Sequence, residues 1–582
     1  MRRVFSCVCG IVFFLATPAG SLSAELPPVR IAYFVPSDRE PTRGHRERLD
    51  RVMTEVRRFY RDGMTAAGFG PKTFTLERDG RDALMIHVVQ GAHPTTTYGR
   101  NASAAVRKEV KAALAKHEID MDRNTWVIFQ VLLRWDGDKA TEIGPYVGGG
   151  SHLTGTAWVY DDERLDPQLL ASKAAGGYYS RPCSLGEFNS HYIGGVAHEL
   201  GHAFGLPHDC QTSQDRSRGL SLMGGGNHTY GQELRGEGAG TFLSPASAML
   251  LAFSRPFAGE MERASEKPDC RWNDFDAQFA QAKIVLSGAV VAKPSAFGIV
   301  AFNDWAKIPN DYDAVSWTCK VAEGGRFRLE VGELRPGHSQ LRLWICHTNG
   351  ATSRFAFDYE VDATGKPNLD IFRYRLPLEE AVAAYRRRDR ARVESLAAAL
   401  TQRFADVQEI QKKAAHLQAL LNPGRPRPWL GIPATDGWIG ISHAQFRTAT
   451  VGWGRPLRDE VLGEGPGEYF LQVGGQFFER GMFAHAPARH ELALEGKGTR
   501  FRTAYGLQDG HDGSVVFVVR GDGRELFRSP LVKDHHLRKA DVDVAGVQVL
   551  ELCVEDGGDG ATNDWGVWIS PEVSQDAATR NR

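Results

Sequence analysis

Residues 198–209 read His-Glu-Leu-Gly-His-Ala-Phe-Gly-Leu-Pro-His-Asp, and no other stretch of the chain restricts its fold so tightly. On a helix, positions three and four apart share a face, so His198 and His202 aim two imidazoles at one point. Glu199, one position on, falls beside that point, where a carboxylate can take a proton from water and return it to a leaving amine. Gly205 can take the positive φ that ends a helix, and the turn brings His208 in from a second direction as a third nitrogen donor. Three neutral ligands leave one position of a zinc ion open, and water there is acidified to a pKa of about 7. The residues predict metal-assisted hydrolysis, with His198, His202 and His208 as ligands and Glu199 as catalytic base.

At these positions the chain resembles the metzincin metalloproteases, and with the trailing Asp209 it looks most like their adamalysin (reprolysin) branch. The resemblance implies a methionine turn beneath the metal. Met223, within Ser221-Leu222-Met223-Gly224-Gly225-Gly226, is the matching residue, its thioether serving as a soft apolar floor under the imidazoles. Some metzincins carry a tyrosine two residues after that methionine as an extra ligand; Gly225 stands there, so no fifth ligand is expected.

With 582 residues, 42% of them hydrophobic and 24% charged, the chain has material for about three or four domains. Its formal net charge of -1 leaves no basic field to attract nucleic acid, which is not an expected partner. Arg2 and Arg3, an apolar run over 4–16 and small residues up to Ala24 predict an export signal over 1–24. That run is too short to span a bilayer and no later run is long enough, so the mature chain is expected outside the cell or in its envelope, not as an integral membrane protein. Six cysteines remain after the signal; Cys183 with Cys210 and Cys319 with Cys346 are candidate disulfides, their connectivity left open by sequence. The first strand-like run, 29–35, begins close to the expected cleavage point, so latency through a propeptide cysteine is not expected.

The fold class expected is multidomain, α/β plus all-β. Residues 27–257 alternate strand and helix patterns as a metzincin-like α/β zinc peptidase domain would, with strands near 29–35, 84–89, 126–133 and 154–160 and helices near 45–67, 102–117 and 190–204. Gly148-Gly149-Gly150 and the strand after it read either as a cleft rim that an extended peptide joins as an added strand or as a plain hairpin. Residues 280–365 carry the short alternating runs of a β-sandwich-like domain. Residues 377–421 predict a long helix or helical hairpin packed on a neighbour, and 422–428, with three prolines, a stiff linker.

Residues 429–575 return to β patterning. There Gly481-Met482-Phe483-Ala484-His485-Ala486, Gly513-Ser514-Val515-Val516-Phe517 and the stretch from Asp556 to Trp568 resemble the NPCBM carbohydrate-binding modules. That resemblance implies a jelly-roll β-sandwich and a glycan ligand. Trp453, Trp565 and Trp568 offer faces for sugar rings, and Asp556 and Asp559, with Asp564, offer oxygens for hydroxyls or Ca2+. The same residue types also serve as core tryptophans and turn aspartates. Together these readings predict a secreted zinc endopeptidase directed to a glycoprotein substrate by a glycan-binding module. The alternatives are a glycan-binding adhesin with a non-catalytic zinc site and a zinc hydrolase of non-peptide amides.

Overall fold

The structure is a computed structural model that describes residues 26–137, 139–178, 181–305, 312–421, 437–442, 444–462 and 470–575. The expected export signal, 1–24, and linker, 422–428, lie outside the described residues. The chain is multidomain with substantial β content and divides into two compact units. One runs to Asp269 and takes in Lys293–Ser295 and Cys346–Thr352; the other holds Cys270–Ala292, Ala296–Ile345 and everything from Ser353 onward. No helix among the described residues is long and apolar enough to cross a membrane.

The first unit is built on a five-stranded sheet in the order Ile86–Gln90, Arg30–Val35, Trp126–Gln130, Gly155–Tyr160, Val147–Gly150. The first four strands are parallel and the edge strand Val147–Gly150 is antiparallel. Parallel neighbours need crossovers, and the helices His45–Ala66 and Ser103–Ala115 supply them, burying Leu49, Val52, Val56 and Tyr60, and Val106, Val110 and Leu114. The central strand Trp126–Gln130 is buried throughout, which is why it reads in sequence as a continuous apolar run rather than an alternating one. Under the sheet, a bidentate pair of Arg48 and Asp161 is sealed from solvent, with the Tyr33 hydroxyl donating to the same carboxylate at 2.7 Å.

The second unit begins with a β-sandwich. One sheet orders Asp269–Ala280, Lys283–Lys293, Arg326–Val331; the other orders Val315–Lys320, Ala296–Asp304, Gly337–His347, Thr352–Val361. Its first strand therefore starts ahead of the expected boundary at 280. Cys319 and Cys346 stand on strands separated by Ala296–Asp304, a gap of about 10 Å at ordinary strand spacing, so the expected pairing between them is geometrically closed. No disulfide joins Cys183 to Cys210 either.

The expected single helix or hairpin over 377–421 is three helices, Asp370–Arg386, Arg390–Arg403 and Gln408–Leu421. Arg388 enters the left-handed region at φ 61 and Asp389 caps the second helix by accepting the Arg392 amide, which breaks the run without a glycine or proline to announce it. Their apolar faces share one core with the sandwich, where Phe372 stacks on Phe357 at 4.9 Å.

Residues 437–575 form a second sandwich of two five-stranded antiparallel sheets. Phe501, Tyr505, Phe517, Leu552 and Trp568 fill the space between them.

Candidate metal centre

The helix Leu185–Ala203 carries the motif. Ser184 starts it by accepting the Glu187 amide at 3.0 Å. It ends in a Schellman arrangement, with Leu206 donating to the Gly201 carbonyl at 3.0 Å, Gly205 donating to that of His202 at 2.9 Å, and Gly205 at φ +87. That left-handed glycine redirects the chain, and His208 comes back over the helix.

The three imidazoles converge: the Nε2 of His202 lies 3.2 Å from that of His198 and 3.0 Å from that of His208. The donor atoms of all three fall within 4.8 Å of one another. Tetrahedral coordination at the usual Zn–N length puts nitrogens about 3.3 Å apart, so the donor set fits a zinc ion. Carbonyl oxygens fix the tautomers. Nδ1–H of His198 donates to Leu222 at 2.7 Å and Nδ1–H of His202 to Leu206 at 2.9 Å, leaving each Nε2 with a lone pair turned to the common point. Burial, and then the neighbouring His202, hold His198 down at about 3, and burial also lowers His202, so both imidazoles are neutral at physiological pH.

Glu199 is 9% exposed, and burial pushes its carboxyl up to about 7 against the opposing pull of the Gly148 amide. Gly148 has no side chain for a steric reason: a Cβ there would stand 2.0 Å from the Glu199 carbonyl oxygen. The edge strand thus lies directly on the helix that carries the motif. Met223 is fully buried with its sulfur against Gly201, in the turn after the Leu222 carbonyl that holds His198. Asp209, 1% exposed, accepts from Ser221 at 2.7 Å and Ser244 at 2.5 Å, tying the end of the motif to the methionine turn and to the next helix.

Sequence reasoning missed a polar cluster along the same helix. His191 sits seven residues before His198 and so on its face, a spacing that offered a signal. Its ring stacks on His228, with the two Nδ1 atoms 2.8 Å apart, and its Nε2 is 3.9 Å from Glu142. The Tyr192 hydroxyl donates to Glu142 at 3.4 Å and the Tyr146 hydroxyl to the Tyr192 carbonyl at 3.2 Å. Burial, and then His191, hold the His228 imidazole down at about 4. No sequence pattern linked Glu142 and His228 to this helix.

In the last sandwich the expected sugar-facing residues separate. Trp568 is fully buried between Tyr505 and Phe517, so it is core and offers no face to a ligand. Trp565 is 4% exposed, with His511 stacked on it at 3.7 Å, while Trp453 is 43% exposed and 5.5 Å from Trp565. Asp556 accepts the Gly558 amide and Asp559 the Ser514 hydroxyl, each closing local loop structure. Among the described residues the three histidines are the one group of such side chains spaced to hold a metal.

Residues 438–574 match the NPCBM/NEW2 domain family. Over 139 residues the chain is 30% identical to a Renibacterium salmoninarum protein named for endo-alpha-N-acetylgalactosaminidase activity; the match takes in 23% of this chain and 9% of that much longer one. Among solved structures, wild-type OgpA from Akkermansia muciniphila is similar at 24% identity with a TM-score of 0.51, over 58% of this chain and 95% of that one. Inactive OgpA in complex with an O-glycopeptide substrate is similar at 23% identity, 58% and 94% coverage and a TM-score of 0.51. These likenesses show a shared fold. The chain thus combines an α/β unit bearing a three-histidine cluster with a C-terminal NPCBM domain.

Proposed function

We propose that the chain is an exported zinc-dependent endopeptidase of the metzincin kind, acting on glycosylated protein and held near it by the NPCBM domain. The observation that carries this reading is the convergence of three imidazoles, two of them, His198 and His202, with tautomers set by backbone carbonyls, beside a buried carboxylate. His198, His202 and His208 would hold zinc, which supplies Lewis-acid polarisation of a carbonyl and acidification of water. Glu199 accepts the proton of the attacking water at its carboxylate and delivers it to the departing amine nitrogen. The edge strand Val147–Gly150 aligns an extended substrate by main-chain hydrogen bonds, and Met223 supports the imidazoles from below.

Glycosylated substrate is supported by two things: the O-glycopeptide complex of the similarly folded OgpA, and the cluster of Tyr146, Glu142, His191 and His228 beside the imidazoles, whose mixture of donors and acceptors suits hydroxyl groups better than an aliphatic side chain. Mature protein loaded with zinc should cut an O-glycosylated protein at internal sites, cut its deglycosylated form far less, and stop on addition of a chelator. Cleavage indifferent to the glycan would remove the substrate assignment, and cleavage indifferent to the chelator would remove the metal.

Among the described residues of the NPCBM domain, Trp453 is the exposed large aromatic. Trp453→Ala should weaken glycan retention on an affinity column by about tenfold, within the range for removing an aromatic platform, and leave cleavage of a short glycopeptide unchanged. Equal retention of the two proteins would place the glycan elsewhere.

A further inference from the structure

The turn from Ser151 to Thr154 joins the edge strand to its neighbour, closed by the Ser151 amide donating to the Thr154 carbonyl at 2.9 Å. One side of this turn lies on the loop that presents His208. A Cβ on Gly205 would stand 2.9 Å from the Ser151 carbonyl carbon and 3.2 Å from the His152 nitrogen. The opposite side is clamped. His152 Nε2–H donates to the Ala264 carbonyl at 2.8 Å, its own carbonyl accepts the Arg255 amide at 2.8 Å, and its ring lies against Gly350.

Gly350 belongs to a turn whose residues, Cys346–Thr352, group with the first unit although the strands leading to it do not. It holds φ +82, and a Cβ there would stand 2.3 Å from the Phe253 carbonyl oxygen and 3.0 Å from Cδ2 of His152. Asn349 beside it is 1% exposed and donates its side-chain amide to the carbonyls of Arg263 at 2.9 Å and Glu266 at 3.1 Å. The contacts therefore run unbroken from Asn349 and Gly350 through His152 and Ser151 to Gly205. After Leu206 the chain leaves the helix's own hydrogen-bond ladder and Pro207 has no amide to give, so the direction in which it sets out towards His208 is fixed at Gly205, with Asp209 tied to Met223 and Ser221 further on.

We propose that His152 is a positioning residue for the metal loop: it carries the packing of the 346–352 turn and of the 253–264 segment onto Gly205, and so sets where His208 stands. This rests on the zinc reading of the three histidines. The proposal also accounts for a histidine whose Nε2 is spent on a carbonyl and whose ring lies outside the cluster of ligands.

The test is hydrogen–deuterium exchange over residues 200–210 in the metal-free full chain, comparing wild type, His152→Ala and His152→Gln. The glutamine amide nitrogen reaches about as far as Nε2 and can restore the bond to Ala264. His152→Ala should speed exchange at Gly205 and Leu206 about tenfold while Arg30–Val35 stays protected, and His152→Gln should return it to the wild-type rate. After zinc loading, the alanine variant should release the ion to a chelator about tenfold faster, the size of effect seen when groups behind metal ligands are removed. Unchanged exchange in the alanine variant overturns the proposal, as does acceleration spread across the whole first unit. Wild-type protein that takes up no zinc would defeat the proposed function, yet the exchange comparison would still decide the role of His152.

Discussion

Glu199→Gln is expected to lower kcat on a glycopeptide substrate about a thousandfold while zinc content and glycan retention stay at wild-type levels. Glutamine keeps the length and shape of the side chain, and its oxygen still accepts the Gly148 amide, so the edge strand stays seated on the helix. What is lost is the capacity to take a proton at that position. If Glu199 were only a packing group under the strand, the substitution would be nearly silent. Measured turnover within a few-fold of wild type, at full zinc occupancy, would therefore refute the proposed chemistry. An adhesin with an inert metal site would show no turnover in either protein.

The second large effect concerns stability. Arg48→Met is expected to cost about 3–5 kcal/mol, seen as a fall of about 10 °C in the unfolding temperature of the first unit. The guanidinium makes a bidentate pair with Asp161 in which both side chains are sealed from water, and Tyr33 satisfies only part of what remains. Removing the cation leaves a carboxylate whose pKa burial already raises. The deficit should be greatest at neutral pH and shrink on acidification, because a carboxyl with a raised folded pKa is neutralised there without unfolding. Melting curves at pH 7 and pH 5 would check both statements. A pH-independent loss of under 1 kcal/mol would mean that water reaches the pair.

Legibility from sequence followed how local each feature is. The helix from Leu185, its glycine stop and the convergence of His198, His202 and His208 span barely two dozen residues, and helical spacing together with one left-handed glycine encodes them. The Tyr146–Glu142–His191–His228 cluster is assembled from distant segments, and only His191 left a trace, as a helical repeat of His198. A helical hairpin allows one break in 377–421, but its place between Arg386 and Arg390 was not legible, because Arg388 adopts a conformation that side chains rarely take, for which composition gives no sign. Trp568 illustrates the opposite error. An aromatic in a strand next to acidic turns fits a core role as well as a ligand platform, and only the facing sheet, with Tyr505 and Phe517, decides between them.

The run Gly148-Gly149-Gly150 along the sheet edge leaves that rim without side chains. On the proposed function, a guest strand laid along these three positions would meet peptide groups and no side chains, so its residues at those points would be accepted without regard to identity. Any preference among targets would then be written elsewhere, and a change of taste during evolution could proceed without touching this edge.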